Sequence, residues 1–430
     1  MGILLYPEGY VPSGVKIPEQ TINDLQLDRL AASMSYSNYY TITAAELAGF
    51  WTDDAAVIRW RQAVMSDIIG NPVLENVLSR LLDCVDGWET RSGNGKMKRG
   101  LDEMAVGLNL EDFSFLDTYL KKIDSVYNDF KDIRVSSEGL SILKNKIRDL
   151  RSCERFESVK KSFEELCAGG AAPEKMRLGF NLDTELRPSR LKLLYMEPYT
   201  GDEADKNKNK KDKKRRMLLP PYAIGMSGML LHRSVGSISQ AINGFITRET
   251  MELRLLKKDL IFFLSALKQC RLWEEKGLPH CFPEIRPMEA KAFSAHGMFD
   301  PLLALNDREE IIGNDIEFQE GGEILILTGA NQGGKTVFLL SVALTQWFFQ
   351  LGIMAPCKSA SLSPVREILT VFAPNSDTVN RKGLLAEEAQ RIAAAVNAVS
   401  GSSLVLFNEP LTSTSPSETR EISLEVISAF

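Results

Sequence analysis

The chain has 430 residues, 44% of them hydrophobic and 25% charged, and a formal net charge of −6. That length allows two or three domains with full cores. The acidic balance excludes a protein that grips nucleic acid over most of its surface, although a local basic patch still acts through its own field. No stretch of eighteen apolar residues is present to span a membrane, and Met1 to Tyr10 lacks the basic flank of a signal peptide. Cysteines at 84, 153, 167, 270, 281 and 357 show no CxxC spacing, which suggests neither a zinc site nor a disulfide framework and fits a reducing cytoplasm. Histidines 232, 280 and 296 do not cluster with other ligand types, which makes structural or surface roles the plain expectation.

In chain order, the first 90 or so residues carry helical patterning. Ile58 to Ile69 predicts one helix, Asn71-Pro72 punctuates, and Val73 to Leu82 predicts another. The polar, glycine-bearing stretch from Gly87 to Gly100 predicts a loop. Leu116, Leu120, Ile123, Tyr127 and Phe130 form a stripe of alternating four- and three-residue steps, and Leu253, Leu256, Leu260, Phe263 and Leu267 form a second. Two such helices can pack antiparallel as a lever arm, yet the pattern alone is also that of an ordinary bundle core. Between them, Gly201 to Arg216 (GDEADKNKNKKDKKRR) has eight Lys or Arg in its last eleven residues. It cannot bury a core and predicts a disordered loop, either solvated or touching nucleic-acid phosphates.

After Pro287 the pattern changes. Glu323 to Leu327 (EILIL) and Ser403 to Phe407 are short apolar runs bounded by turn residues, as in buried parallel strands. Helical patterns lie between them, which predicts an α/β nucleotide-binding domain from about residue 290.

The segment Gly329-Ala330-Asn331-Gln332-Gly333-Gly334-Lys335-Thr336 matches GxxxxGK[ST]. Glycines let several backbone N–H groups turn toward phosphate oxygens, and the helix that follows presents its positive end to them. Lys335 is placed to reach the β and γ phosphates of ATP, and the Thr336 hydroxyl to bind Mg2+. Further on, the apolar run Leu404 to Phe407 ends in Asn408-Glu409. An acidic pair is usual there, the first acid holding the metal and the second polarising the attacking water. Glu409 suits the second role as a catalytic residue, with Lys335 as its partner at the phosphates. Asn408 stands where an aspartate is expected and could hold the metal through water. Ser415-Pro416-Ser417-Glu418 is a capping box with proline at the first helical position, which predicts a helix start.

These motifs resemble those of the MutS family. Thr328 to Thr336, TGANQGGKT, is similar to the family's TGPNMGGKS, including Asn331 and the double glycine. Gly352 to Pro356 resembles its G-x-x-V-P segment, Ser363 to Ile368 its G-P-[IV]-D-R-I segment, and Leu404 to Ser415 (LVLFNEPLTSTS) its Walker B and GRGTS loop, with Thr414 and Ser415 in the Thr-Ser positions. Leu25 to Leu30 and Trp60 to Val64 are similar to the start of the family's helical core. The resemblance implies an α + α/β protein: a helical core and lever domain over 1–289, with 201–216 as its basic loop. An ABC-like P-loop ATPase domain with a mostly parallel sheet follows over 290–430.

It further implies ATP and Mg2+ as cofactors, DNA as a partner, a homodimer through the ATPase domains, and no membrane association. The chain departs from the family in starting at the core, without the mismatch-reading and connector domains. It also stops before the family's active-site histidine and dimerisation helices. Asn408 replaces an aspartate, and a gapless alignment puts Gly383 at the family's trans-acting serine and Glu388 at the acidic position after it. The expected activity is ATP hydrolysis coupled to DNA binding without mismatch reading. The alternatives are an ATP-dependent module for branched DNA, RNA or ribosomes, and a nucleotide-binding scaffold with little hydrolysis.

Overall fold

The computed structural model describes residues 2–11, 17–97, 110–166, 173–182, 188–198, 253, 255–306, 310–318, 324–330, 332–373, 381–411 and 415–429. The basic segment 201–216, His232, Asn331 and Thr414 lie outside them. The chain forms two compact units. The first comprises Met1–Pro72, Val135–Ser141 and Lys258–Phe430, the second Val73–Arg134 and Ile142–Lys257. Among the described residues, no helix is long and apolar enough to cross a membrane.

In the first unit the chain opens with α1 (Glu19–Asp24), α2 (Leu27–Met34), α3 (Ala44–Phe50) and α4 (Ala55–Gly70). In α2, Leu27, Leu30, Ala31 and Met34 are buried, the spacing of one helical face. A capping box starts α3: Glu46 N–H donates to Thr43 Oγ1 at 3.2 Å, and Thr43 N–H to Glu46 Oε2 at 3.0 Å. The side chain of Asp54 caps α4 by accepting from Ala56 N–H at 2.7 Å. Asn71 ends α4 and Pro72 opens α5 (Pro72–Met97), as the Asn-Pro break predicts. The loop expected over Gly87 to Gly100 is corrected, because α5 stays helical through Met97. Its first turns bury Leu74, Val77, Leu78, Leu81, Leu82 and Val85. Extending a helix already nucleated and packed costs less than starting one, so glycines late in it do not stop it.

The second unit holds most of α5, then α6 (Leu110–Lys131), most of α7 (Glu138–Ser152) and α8 (Glu154–Leu166). A hairpin of β1 (Pro173–Leu182) and β2 (Pro188–Pro198) pairs antiparallel. Along α6, Tyr119, Leu120, Ile123, Val126 and Phe130 are buried, so Leu120, Ile123 and Phe130 of the predicted stripe face a core, while Tyr127 is half-buried. Asp124 ties α6 to α7 and α8 by pairing with Arg151 and with Lys160.

The chain returns to the first unit along α9 (Lys257–Glu275). All five residues of the second stripe, Leu253 to Leu267, are buried, and so are Phe262, Leu264, Cys270 and Trp273. A helix buried over most of its circumference is a central one, and α9 is buried at most positions from Asp259 to Trp273. Trp273 meets Phe299 and Phe348 with ring centroids 5.8 and 5.2 Å away. Of the second stripe, Leu253 and Leu256 fall in the second unit and Leu260, Phe263 and Leu267 in the first.

Four strands form one mixed sheet in the order β3 (Glu284–Ile285), β6 (Ser359–Leu362), β4 (Phe293–Met298), β5 (Asn314–Phe318). Within it β3 and β6 are parallel, whereas β4 runs antiparallel to both its neighbours. A separate parallel pair joins β7 (Glu367–Phe372) to β8 (Ser403–Asn408), in register from Glu367–Ser403 to Phe372–Asn408. Against this pair pack α11 (Arg381–Ala398) and α12 (Pro416–Ala429), through a cluster of Val371, Ile392, Ala395 and Leu411 with Val396, Phe407 and Val426 around it. Side chains of α1 meet the carbonyls of β7: Gln20 Nε2 donates to Thr370 O at 2.7 Å and Thr21 Oγ1 to Ile368 O at 3.0 Å. The predicted strand at Ser403 is present. The one expected over Glu323 to Leu327 is corrected, since residues 324–327 have no ladder among the described residues and Ile324, Leu325, Ile326 and Leu327 are 39–73% exposed. An apolar run records a capacity for burial, but a strand exists only where another strand supplies its hydrogen bonds.

Candidate nucleotide site

The helix predicted after the glycines is α10 (Lys335–Leu351). Gly334 caps it in the left-handed region at φ 84°, a conformation natural to glycine. Gln332 takes the same region at φ 65°, where a side chain is uncommon and mildly strained. At Gly333 an ideal Cβ would come within 2.9 Å of the Ala330 carbonyl oxygen, and the Gly333 N–H donates to that same oxygen at 3.1 Å. The loop is thus closed on itself at a spacing that leaves no room for a side chain.

Lys335 turns back over this loop. Its ammonium donates to Gly329 O and Ala330 O, each at 3.1 Å, and lies 3.6 Å from Glu409 Oε1. Thr336, next in the chain, donates from Oγ1 to Asn408 Oδ1 at 3.2 Å. The structure therefore brings the two motifs together: the start of α10 meets the end of β8 through two side-chain contacts, Lys335–Glu409 and Thr336–Asn408. Just past β8, Glu409 has φ 47° and Leu411 φ 63°, so the chain makes a strained turn directly after the strand. The capping box beyond it is present, with Glu418 N–H donating to Ser415 Oγ at 3.4 Å and Ser415 N–H to Glu418 Oε2 at 3.3 Å. Gly383 lies on α11, where Glu388 is buried. His280 sits 3.4 Å from Glu274, and His296 lies 3.7 Å from Asp315.

Sequence reasoning missed what fixes α10. Gln346 and Gln350, one turn apart on its buried face, join side chain to side chain at 2.7 Å. Gln346 Nε2 also donates to Ser363 O at 2.8 Å. Gln350 Nε2 donates to Val365 O at 2.8 Å and to Thr52 O at 2.9 Å, and its Oε1 accepts from Val365 N–H at 3.1 Å. These bonds hold the Ser363 to Val365 segment, which leads into β7, against the helix that carries the glycine loop. Two glutamines four apart in an otherwise apolar helix were the available signal.

At the C-terminal end of α10, Gly352 caps the helix at φ 74°, and an ideal Cβ there would lie 2.7 Å from Arg61 Cβ. Arg61 is fully buried. It donates to Leu5 O at 3.0 Å, to Leu351 O at 3.1 Å and to Phe50 O. Burial pulls its guanidinium down to about 10, with Tyr6 and Asp259 opposing, so it stays charged at neutral pH. Asp259 in turn accepts from Leu4 N–H at 2.9 Å and Leu5 N–H at 3.2 Å.

Residues 325–430 match the family model described as MutS domain V. Over 125 residues, 29% of this chain, it is 28% identical to MutS protein homolog 4 of Mus musculus. It is 27% identical over 138 residues, 31% of the chain, to DNA mismatch repair protein MSH2 of Saccharomyces cerevisiae. To MutS protein homolog 4 of Homo sapiens it is 27% identical over 125 residues, again 29% of the chain. The matched stretch spans 13%, 14% and 13% of these relatives' own lengths.

Proposed function

We propose that this chain, which belongs to the MutS family, binds ATP with Mg2+ at the glycine loop and couples its hydrolysis to contact with DNA. The observation that carries the reading is the meeting of α10 and β8 through Lys335–Glu409 and Thr336–Asn408. The backbone amides of 329–334 would receive phosphate oxygens, helped by the positive end of α10. Lys335 already has its ammonium at the mouth of the loop and would exchange carbonyl oxygens for β and γ phosphate oxygens.

The donor set fits magnesium, because the Thr336 hydroxyl and the Asn408 carboxamide oxygen are both hard oxygen ligands and are already adjacent. When bound, the ion would supply charge neutralisation at the phosphate oxygens. Glu409 would orient and polarise a water for attack, and its contact with Lys335 keeps it beside the phosphate position.

In this proposal β7 and β8 belong to the mostly parallel sheet of an ABC-like ATPase domain over 290–430, preceded by a helical core and lever domain over 1–289. Two such ATPase domains in a homodimer complete each other's sites, and DNA is the partner. The lysines and arginines of 206–216 would offer sequence-independent phosphate contacts, since ammonium and guanidinium charges without aromatic neighbours neutralise phosphates but do not stack on bases. A second reading, a nucleotide-binding scaffold with little hydrolysis, is favoured by one observation: Asn408 brings a neutral carboxamide to the metal position.

ATP turnover measured with and without duplex DNA, over a range of salt, tests the proposal. Turnover that changes with DNA, and more so at low salt, is the expected result. Turnover indifferent to DNA at every salt concentration would refute the coupling. Binding of ATP without turnover would favour the scaffold.

A further inference from the structure

Two cysteines 76 residues apart in sequence meet in the first unit, away from the nucleotide site, with sulfurs 3.5 Å apart. Cys281 follows α9 and forms a single antiparallel bridge with Ala355. Cys281 N–H donates to Ala355 O at 3.2 Å, and Ala355 N–H to Cys281 O at 2.8 Å. Cys357 lies two residues beyond Ala355, where its own N–H donates to Ala355 O at 2.9 Å. The backbone on both sides is therefore pinned with the sulfurs in contact. Cys357 is buried and Cys281 half-buried, so a small reagent meets Cys281 first.

We propose that Cys281 and Cys357 form a peroxide-sensitive modification site, with Cys281 oxidised first and Cys357 closing an intramolecular disulfide. The Cys281 thiolate attacks one oxygen of hydrogen peroxide and breaks the O–O bond, giving a sulfenic acid and hydroxide, which takes up a proton as water. The Cys357 sulfur then attacks the sulfenic sulfur. The S–O bond breaks, the oxygen leaves with the Cys357 proton as a second water, and the S–S bond forms. Two electrons pass from the thiol pair to the peroxide, and no other co-reactant is needed.

The electrostatics support this order of events. The hydrogen bond between the two sulfurs holds the Cys281 thiol below its ordinary value and, with burial, pushes the Cys357 thiol up. Nucleophilic attack on peroxide needs the thiolate, and the more accessible member of the pair is the one that favours it. Burial pushes the thiols of Cys84 and Cys270 up to about 12, which makes them internal controls. The link would join the segment after α9 to the segment after α10, and a cross-link over so long a loop restricts the unfolded chain.

The test treats the intact chain with hydrogen peroxide, alkylates the remaining thiols and maps the peptides by mass spectrometry without reductant. A peptide pair linking Cys281 to Cys357, lighter by two hydrogens and restored by dithiothreitol, is expected, with Cys84 and Cys270 unlinked and a higher unfolding midpoint in the oxidised protein. In C357S, Cys281 should be trapped as a sulfenic acid by dimedone, and in C281S, Cys357 should remain a thiol. The parent's map decides the matter even where a serine variant does not fold. Full alkylation of both cysteines after peroxide, over-oxidation of Cys281 without a link, or pairing of either with another cysteine would overturn the proposal.

Discussion

Thr336 Oγ1 donates to Asn408 Oδ1 at 3.2 Å, joining the first turn of α10 to the last residue of β8. An aspartate at 408 would present the same oxygen with a negative charge. N408D is therefore expected to strengthen magnesium-dependent ATP binding by about tenfold, or ~1.4 kcal/mol, since charge-bearing oxygens bind hard cations best. ATP titrations at fixed magnesium and in EDTA measure this. Equal magnesium dependence in variant and parent would remove residue 408 from the metal position.

Glu409 faces Lys335 across 3.6 Å and stands in a strained left-handed turn. E409Q keeps the side chain's size while removing the base. Turnover is expected to fall by about a hundredfold or more with ATP affinity nearly unchanged. Single-turnover assays beside equilibrium titrations separate the two effects, and undiminished turnover would assign the base elsewhere.

Gly352 closes α10 where only a glycine sits without strain. A methyl group there meets Arg61 Cβ at 2.7 Å and is held in the left-handed region. G352A is expected to destabilise the first unit by about 2–4 kcal/mol from backbone strain and overpacking. Denaturant unfolding measures it, and a variant within ~0.5 kcal/mol of the parent would mean that Arg61 yields freely.

Burial raises the carboxyl of Asp259 from 3.8 to about 6, against the opposing hydrogen bonds of Leu4 and Leu5 and the charge of Arg61. Between those two values the folded protein binds more protons than the unfolded chain, so this group's contribution to stability falls as pH rises through the window. The full effect is roughly 3 kcal/mol. D259N carries no such titration. Its unfolding free energy relative to the parent should therefore rise between about pH 4 and 6.5 and level off above. A flat difference, or one of opposite slope, would show that the Arg61 attraction outweighs the cost of burial.

Much of this was legible from residue order. The break at Asn71-Pro72, the α6 stripe, the start of α10 at Lys335, the end of β8 at Asn408 and the cap at Ser415 depend on local chemistry, and local chemistry is what a sequence displays. Arg61 was not legible as a buried node, because its partners Leu5, Phe50, Leu351 and Asp259 are remote from it in the chain and only the fold assembles them. The Cys281–Cys357 contact escaped for the same reason. Residues 324–327 failed in the other direction: the pattern is that of a strand, but hydropathy does not specify which strand would pair with it.

Gly329 to Thr336 is proposed to bind ATP through Lys335. A direct titration of ATP into the parent chain and into K335A tests it, with the fold of both checked by circular dichroism. K335A is expected to retain its fold and to bind at least about tenfold more weakly, ~1.4 kcal/mol or more. Equal affinity in the two proteins would contradict that proposal.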